Sequence, residues 1–286
     1  MGLGATVMCN CFRLGLTTEP PVPRDWLHVD EEGYFNLKPG HDSDGAFDEV
    51  DGWMKVCCEH PDLEYASEHI ANWSGYRIFQ QALAEAGWDN FPVLRSELPN
   101  TNDGQTKAPE AALALRELAA FRSLGRIGST PCLVDSTTGE VVVEHVRAYG
   151  GVFIWCGNTG LEAGFDGDGF FIRTGEDKLE LFRAARFRQE ILDPRVDRYG
   201  PEPWRAVYVD LDSGREFECR FAVPGDTISW PDGRMQDDRG RYRFDYPAVL
   251  HVEDRSVHSS DYEYILGPLE RVFQTSIEMG NPVQWC

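Results

Sequence analysis

The chain has 286 residues, enough for two lobes, and its 42% hydrophobic content with 16 Phe, 10 Tyr and 8 Trp excludes an intrinsically disordered protein. The net charge is −21, and residues 25–68 carry 13 Asp/Glu against only Lys38 and Lys55, a balance that opposes direct binding to nucleic acid or an anionic membrane. No run of 18 apolar residues occurs, and no basic start leads into an apolar stretch, so the sequence predicts no membrane span, no secretory leader and a cytosolic location.

In chain order, residues 5–12 read as a strand and residues 17–23 as a proline-rich loop. Trp26 to Leu37 fits a short hairpin around Glu32-Gly33. Asp44 is placed to cap a helix over residues 45–57, in which Phe47, Val50, Met54 and Cys57 keep helical spacing, and Pro61 stops it. Ser74 opens a second helix with Ile78, Phe79, Ala82, Leu83 and Ala86 on one face, ended by Gly87. A third runs from Pro109 to Leu124, with proline in the first turn and Gly125 after the last.

Near residue 126 the pattern changes to strands. Residues 132–135 and 140–145 flank the turn Ser136-Thr-Thr-Gly139, and residues 151–156 and 170–173 are apolar strands. Residues 206–211 and 215–221 alternate about Asp212-Ser-Gly214, the clearest hairpin signal in the chain. Residues 226–230 and 244–252 read as further strand, and residues 178–192 fit helix or strand about equally, with strand preferred. The last element is a helix with Ser260 and Glu263 as a capping box, an apolar face of Tyr262, Ile265, Leu266, Leu269, Phe273 and Ile277, and a kink at Gly267-Pro268. Val283 and Trp285 predict a docked tail.

The expected class is therefore α+β: a helical N-terminal part packed with a mostly antiparallel sheet and a covering C-terminal helix. The division falls at residues 1–125, a mainly helical lobe with an N-terminal strand, and 126–286, an antiparallel lobe with the C-terminal helix, the two forming one compact unit as the alternative.

Two features carry chemistry. Cys9 and Cys11 stand at i and i+2, which on a strand puts both on one face, and Cys58 and His60 lie at a predicted helix end. Thiolates with an imidazole suit tetrahedral Zn²⁺, although C-x-C with C-C-x-H is not a standard finger or ribbon spacing. The rest of the eight cysteines read as reduced core thiols. The second feature is the acidic stretch. Asp42, Asp44, Asp48, Glu49 and Asp51, with Trp53 beside them, form a candidate docking surface for a basic protein, a toxin among the options. The stretch does not complete a calcium loop, because Ala46, Phe47 and Trp53 stand at the fifth, sixth and twelfth positions counted from Asp42.

Met1-Gly-Leu-Gly-Ala-Thr6 matches a myristoylation pattern, but residues 5–12 read as a strand entering a core. Gly164-Phe-Asp-Gly-Asp-Gly169 precedes a strand and holds carboxylates, so it does not read as a phosphate cradle. G-x-S-x-G, H-E-x-x-H and the P-loop pattern are absent from the sequence. The leading expectation is an acidic, cytosolic inhibitor resembling immunity proteins in its charge, which occludes a basic partner and needs no cofactor. The rival is a hydrolase or a thiol- or zinc-dependent enzyme using Cys9, Cys11, Cys58 and His60, with its site where the helical lobe meets the sheet.

Overall fold

The computed structural model describes residues 2–30, 35–41, 44–157, 159–192, 194–197, 200–203, 205–238, 240 and 242–286. It is an α+β structure with antiparallel sheets throughout. The chain divides into two units, Met1–Gly128 with His258–Cys286, and Ser129–Val257. The C-terminal helix belongs to the first unit and not to the strand-rich one.

The α-helices are α1 (Cys11–Leu14), α2 (Asp44–Met54), α3 (Trp73–Ala86), α4 (Pro92–Glu97), α5 (Ala108–Arg122) and α6 (Glu263–Met279). The first unit is built on a four-stranded sheet in the order Glu64–Asn72, Gly2–Met8, Val283–Trp285, Gln105–Thr106. Two of its strands depart from the sequence reading. The first strand stops at Met8, and Cys11 begins a helical turn. Glu64–Asn72 is a strand that the sequence hides, because its side chains are mostly polar; only Ile70 and Ala71 are buried along it. The docked tail is a strand between two others, with Trp285 buried and its indole N–H donated to Thr106 at 3.2 Å.

Helix α6 packs on α5 and on the strands Glu64–Asn72 and Gly2–Met8. Arg271 clamps Glu68 through two hydrogen bonds of 2.6 and 2.8 Å, and Arg122 of α5 bonds both Glu263 and Glu270. Pro268 sits inside α6, which runs from Glu263 to Met279. The capping box lies two residues earlier than expected: the Asp261 carboxylate accepts from the His258 N–H at 2.8 Å.

The second unit has two large sheets, besides the two-stranded pairs Pro194–Asp197 with Gly200–Pro203 and Thr227–Ile228 with Arg243–Phe244. One runs Glu180–Ala184, Gly169–Thr174, Leu161–Asp166, Val152–Cys156. The other runs Glu216–Cys219, Ala206–Asp210, Arg186–Ile191, Val249–His258, Arg126–Asp135, Val141–Glu144. A single apolar core joins them. Phe170 of the first stacks on Phe187 and Tyr208 of the second, with ring centroids 4.3 and 5.4 Å apart. Buried Gln189 ties this core to the backbone, since its amide donates to the carbonyls of Val223 and Pro247 and accepts from the Val223 N–H.

Candidate metal centre

A small subdomain at one end of the first unit carries both features singled out in the sequence. Its core is Met8, Cys9, Cys11, Val22, Leu27, Phe35, Leu37, Val50, Trp53, Cys57 and Leu63, all buried. The segment after the first strand and the segment after α2 are brought side by side by the backbone bonds Cys9 N–H to Leu63 O at 2.6 Å and Thr18 N–H to Cys57 O at 2.8 Å. Asn281 braces the same place, donating to the Met8 carbonyl at 2.8 Å and to the Asn10 side chain at 3.0 Å.

The result is a cluster of four donor atoms. The Sγ atoms of Cys9, Cys11 and Cys58 and a ring nitrogen of His60 all lie within 4.8 Å of one another. The Cys9 and Cys58 sulfurs are 3.9 Å apart, and His60 Nδ1 lies 3.4 Å from Cys11 Sγ and 3.8 Å from Cys58 Sγ. A zinc tetrahedron with its usual bond lengths has sulfur–sulfur edges of about 3.8 Å and sulfur–nitrogen edges of about 3.6 Å. Three of the six edges match those values within a few tenths of an ångström and the others do not exceed 4.8 Å, so the donor set and its spacing suit a zinc ion. The strand geometry expected for Cys9 and Cys11 is not how they converge. Cys9 follows the strand and Cys11 starts α1, and the turn between them aims both thiols at the segment holding Cys58 and His60.

The surroundings support metal binding. His60 presents Nδ1 to the sulfurs while its Nε2 lies 4.0 Å from the exposed Glu59 carboxylate. The His60 backbone N–H donates to Cys58 Sγ at 3.4 Å, and the ring packs on Tyr65 with centroids 5.0 Å apart. Burial pushes the Cys9 thiol up to about 12 and raises Cys11 as well, each with nearby Cys58 adding to the effect. The burial of Cys9 and Cys11 disfavours thiolate charge on them unless a cation joins them, and a dication reverses that balance. The chain also bends unusually here. Asp62 and Leu63, just after Pro61, hold φ of 56° and 60°, left-handed values costly for such side chains. Cys57 is not part of the set: it is 1% exposed, burial pushes its thiol up to about 12, and its Sγ points at the Met54 carbonyl.

The acidic residues fall out unequally. Asp48, Glu49 and Asp51 are exposed on α2, and Asp51 pairs with Lys55 at 2.7 Å across one helical turn. Asp44 lies in the first turn of the same helix, and Asp42 lies outside the described residues. Trp53 is placed differently from the surface role expected of it. It is 8% exposed, donates its indole N–H to Thr18 at 3.1 Å, and packs on Phe35 and Phe12 with centroids 5.9 and 6.3 Å away. It stands at the core-facing position three residues after Val50, and the aromatic that α2 does expose is Phe47, at 56%.

The sequence reading missed one chain of polar groups in the second unit. Ser136 Oγ lies 2.8 Å from His251 Nδ1, and His251 Nε2 lies 3.4 Å from Glu253. Ser136 sits in an exposed hairpin turn, and the neighbouring Thr137 N–H is spent on the Asp135 carboxylate, so that amide is not free to stabilise an oxyanion. Among the described residues, no helix is long and apolar enough to cross a membrane. No protein-family model, curated protein or solved structure matches this chain, so its function is argued from the cluster itself.

Proposed function

We propose that this chain is a zinc-binding protein in which Cys9, Cys11, Cys58 and His60 hold one structural Zn²⁺, and that the subdomain so fixed docks on a cationic protein. One observation carries the reading: four donors from segments 49 residues apart converge within 4.8 Å, three of their separations being close to the edges of a zinc tetrahedron. Three sulfurs and one nitrogen suit zinc better than calcium or magnesium, which take oxygen ligands. Four protein donors complete the coordination, the pattern of structural zinc, whereas catalytic zinc keeps a position open for water or substrate. The ion staples the end of the first strand to the end of α2 and thereby sets the direction of that helix. Exposed Asp48 and Glu49 then supply a field that draws in a basic surface, which the bound chain covers as an immunity protein covers its toxin.

The deciding experiment is metal analysis of the purified chain after dialysis. One zinc per chain is expected, retained by Cys57→Ser and lost in Cys58→Ser and His60→Ala. A wild-type protein that neither carries zinc nor takes it up on reconstitution overturns the reading, as does equal loss in Cys57→Ser and Cys58→Ser.

A further inference from the structure

We infer that the Cys9–Cys58 pair is a peroxide-responsive switch, in which oxidation of the two thiolates to a disulfide discharges the zinc. The inference rests on the zinc reading above and adds its regulation.

Proximity and one-sided access together favour this pair. Their sulfurs are 3.9 Å apart across the cluster, on segments already joined by the Cys9–Leu63 backbone bond. Access is one-sided. Cys9 and Cys11 are 8% and 7% exposed, while Cys58 is only half-buried and the side chain of His60 is 20% exposed. A small oxidant therefore meets Cys58 first, with Cys9 directly behind it as the resolving thiol. Cys58 also lies on irregular chain between the end of α2 and Pro61, where a sulfur can move toward its partner without breaking a helix or a sheet ladder.

The step balances with hydrogen peroxide as the oxidant. The Cys58 thiolate attacks one peroxide oxygen, the O–O bond breaks, and Cys58 sulfenic acid and hydroxide form. The Cys9 thiolate then attacks the Cys58 sulfur, forming the S–S bond and expelling a second hydroxide. Two electrons leave the two sulfurs and reduce one peroxide, and two protons from solvent convert the hydroxides to water. Only Cys11 and His60 then remain as donors, half of what a tetrahedral ion needs, so Zn²⁺ leaves and the Cys11 thiolate takes up a proton from solvent. The disulfide joins the same two segments that the metal joined, so the subdomain keeps its crosslink while losing its ion.

The test treats the zinc-loaded full-length protein with hydrogen peroxide in the presence of a colorimetric zinc indicator, then maps cysteines by mass spectrometry. The expected result is release of the whole zinc equivalent, a Cys9–Cys58 disulfide in the peptide map, and recovery of zinc binding after a thiol reductant and fresh zinc. Cys57→Ser should behave as wild type. Zinc that stays bound under peroxide overturns the switch while leaving the metal site intact. So does release accompanied by sulfinic or sulfonic Cys58, or by a Cys57–Cys58 link. A chain holding no zinc before peroxide is added fails earlier, at the metal reading, and takes the switch with it.

Discussion

Trp53 and Phe47 share one helix, and the structure assigns them opposite fates. Trp53→Ala removes a side chain that is 8% exposed, packed edge-on against Phe12 and tilted against Phe35, and hydrogen-bonded to Thr18. Large-to-small aromatic changes in a core cost roughly 3–5 kcal/mol, because the lost transfer energy is joined by a cavity that the surroundings fill only in part. For a unit of roughly 150 residues, that is a fall in Tm of about 6–20 °C. Phe47 is 56% exposed, so Phe47→Ala should stay within about 0.5 kcal/mol of wild type. Both can be read by thermal and urea unfolding followed by near-ultraviolet circular dichroism. Zinc retention should fall in Trp53→Ala alone, since Cys57 and Cys58 lie directly beyond the turn that Trp53 anchors. A cost below about 1 kcal/mol for Trp53→Ala, or equal costs for the two variants, would refute the assignment of Trp53 to the core.

Removing zinc with a chelator should speed amide hydrogen exchange in residues 9–16 and 57–63 and leave the strands Leu161–Asp166 and Gly169–Thr174 unchanged; uniform acceleration would mean the ion is not local to the cluster. Reversing Asp48, Glu49 and Asp51 to Lys should slow association with a cationic protein partner and flatten its salt dependence, and a wild-type association rate indifferent to ionic strength would remove the docking reading. At Gly151, φ is +74° and an added Cβ would lie 1.9 Å from the Phe165 carbonyl oxygen, so Gly151→Ala should cost at least about 2 kcal/mol. Gly139→Ala, at φ +76° with open space around it, should cost about 1 kcal/mol, and equal losses would contradict the crowding at Gly151. Burial pushes the Glu162 carboxyl up, but hydrogen bonds from Lys178 and Arg173 outweigh it and hold the group below its ordinary 4.5. Its contribution to stability is therefore full above that value and lost as pH falls through the folded value, so urea midpoints should drop below pH 4.5 and drop less in Glu162→Gln. Parallel curves for the two proteins would show that Glu162 is not a source of the acid sensitivity.

Helices α2, α3, α5 and α6 and the clearest hairpins were legible because their signals are local. Gly87 and Gly280 end α3 and α6 as their positions predict, and Ala206–Asp210 with Glu216–Cys219 pair about the turn that alternation marked. Glu64–Asn72 was not legible, since a strand carrying Glu, Ser and His on its surface shows no apolar alternation until its partners are known. The four candidate ligands could be named from residue type alone. Their convergence could not, because the sequence spacing fits no standard zinc motif and the strand first assumed for Cys9 and Cys11 ends at Met8.

By itself, the order of residues determined an antiparallel α+β protein with a strongly acidic front, because caps, turns and periodicity act over a few residues and charge simply adds. Tertiary structure alone decided that α6 covers the N-terminal sheet, that Trp53 turns inward, and that three sulfurs and an imidazole meet. Each of those depends on which distant segments share a core. Contacts such as Arg271 with Glu68 or Cys9 with Leu63 join residues whose neighbours in sequence carry no trace of the partner.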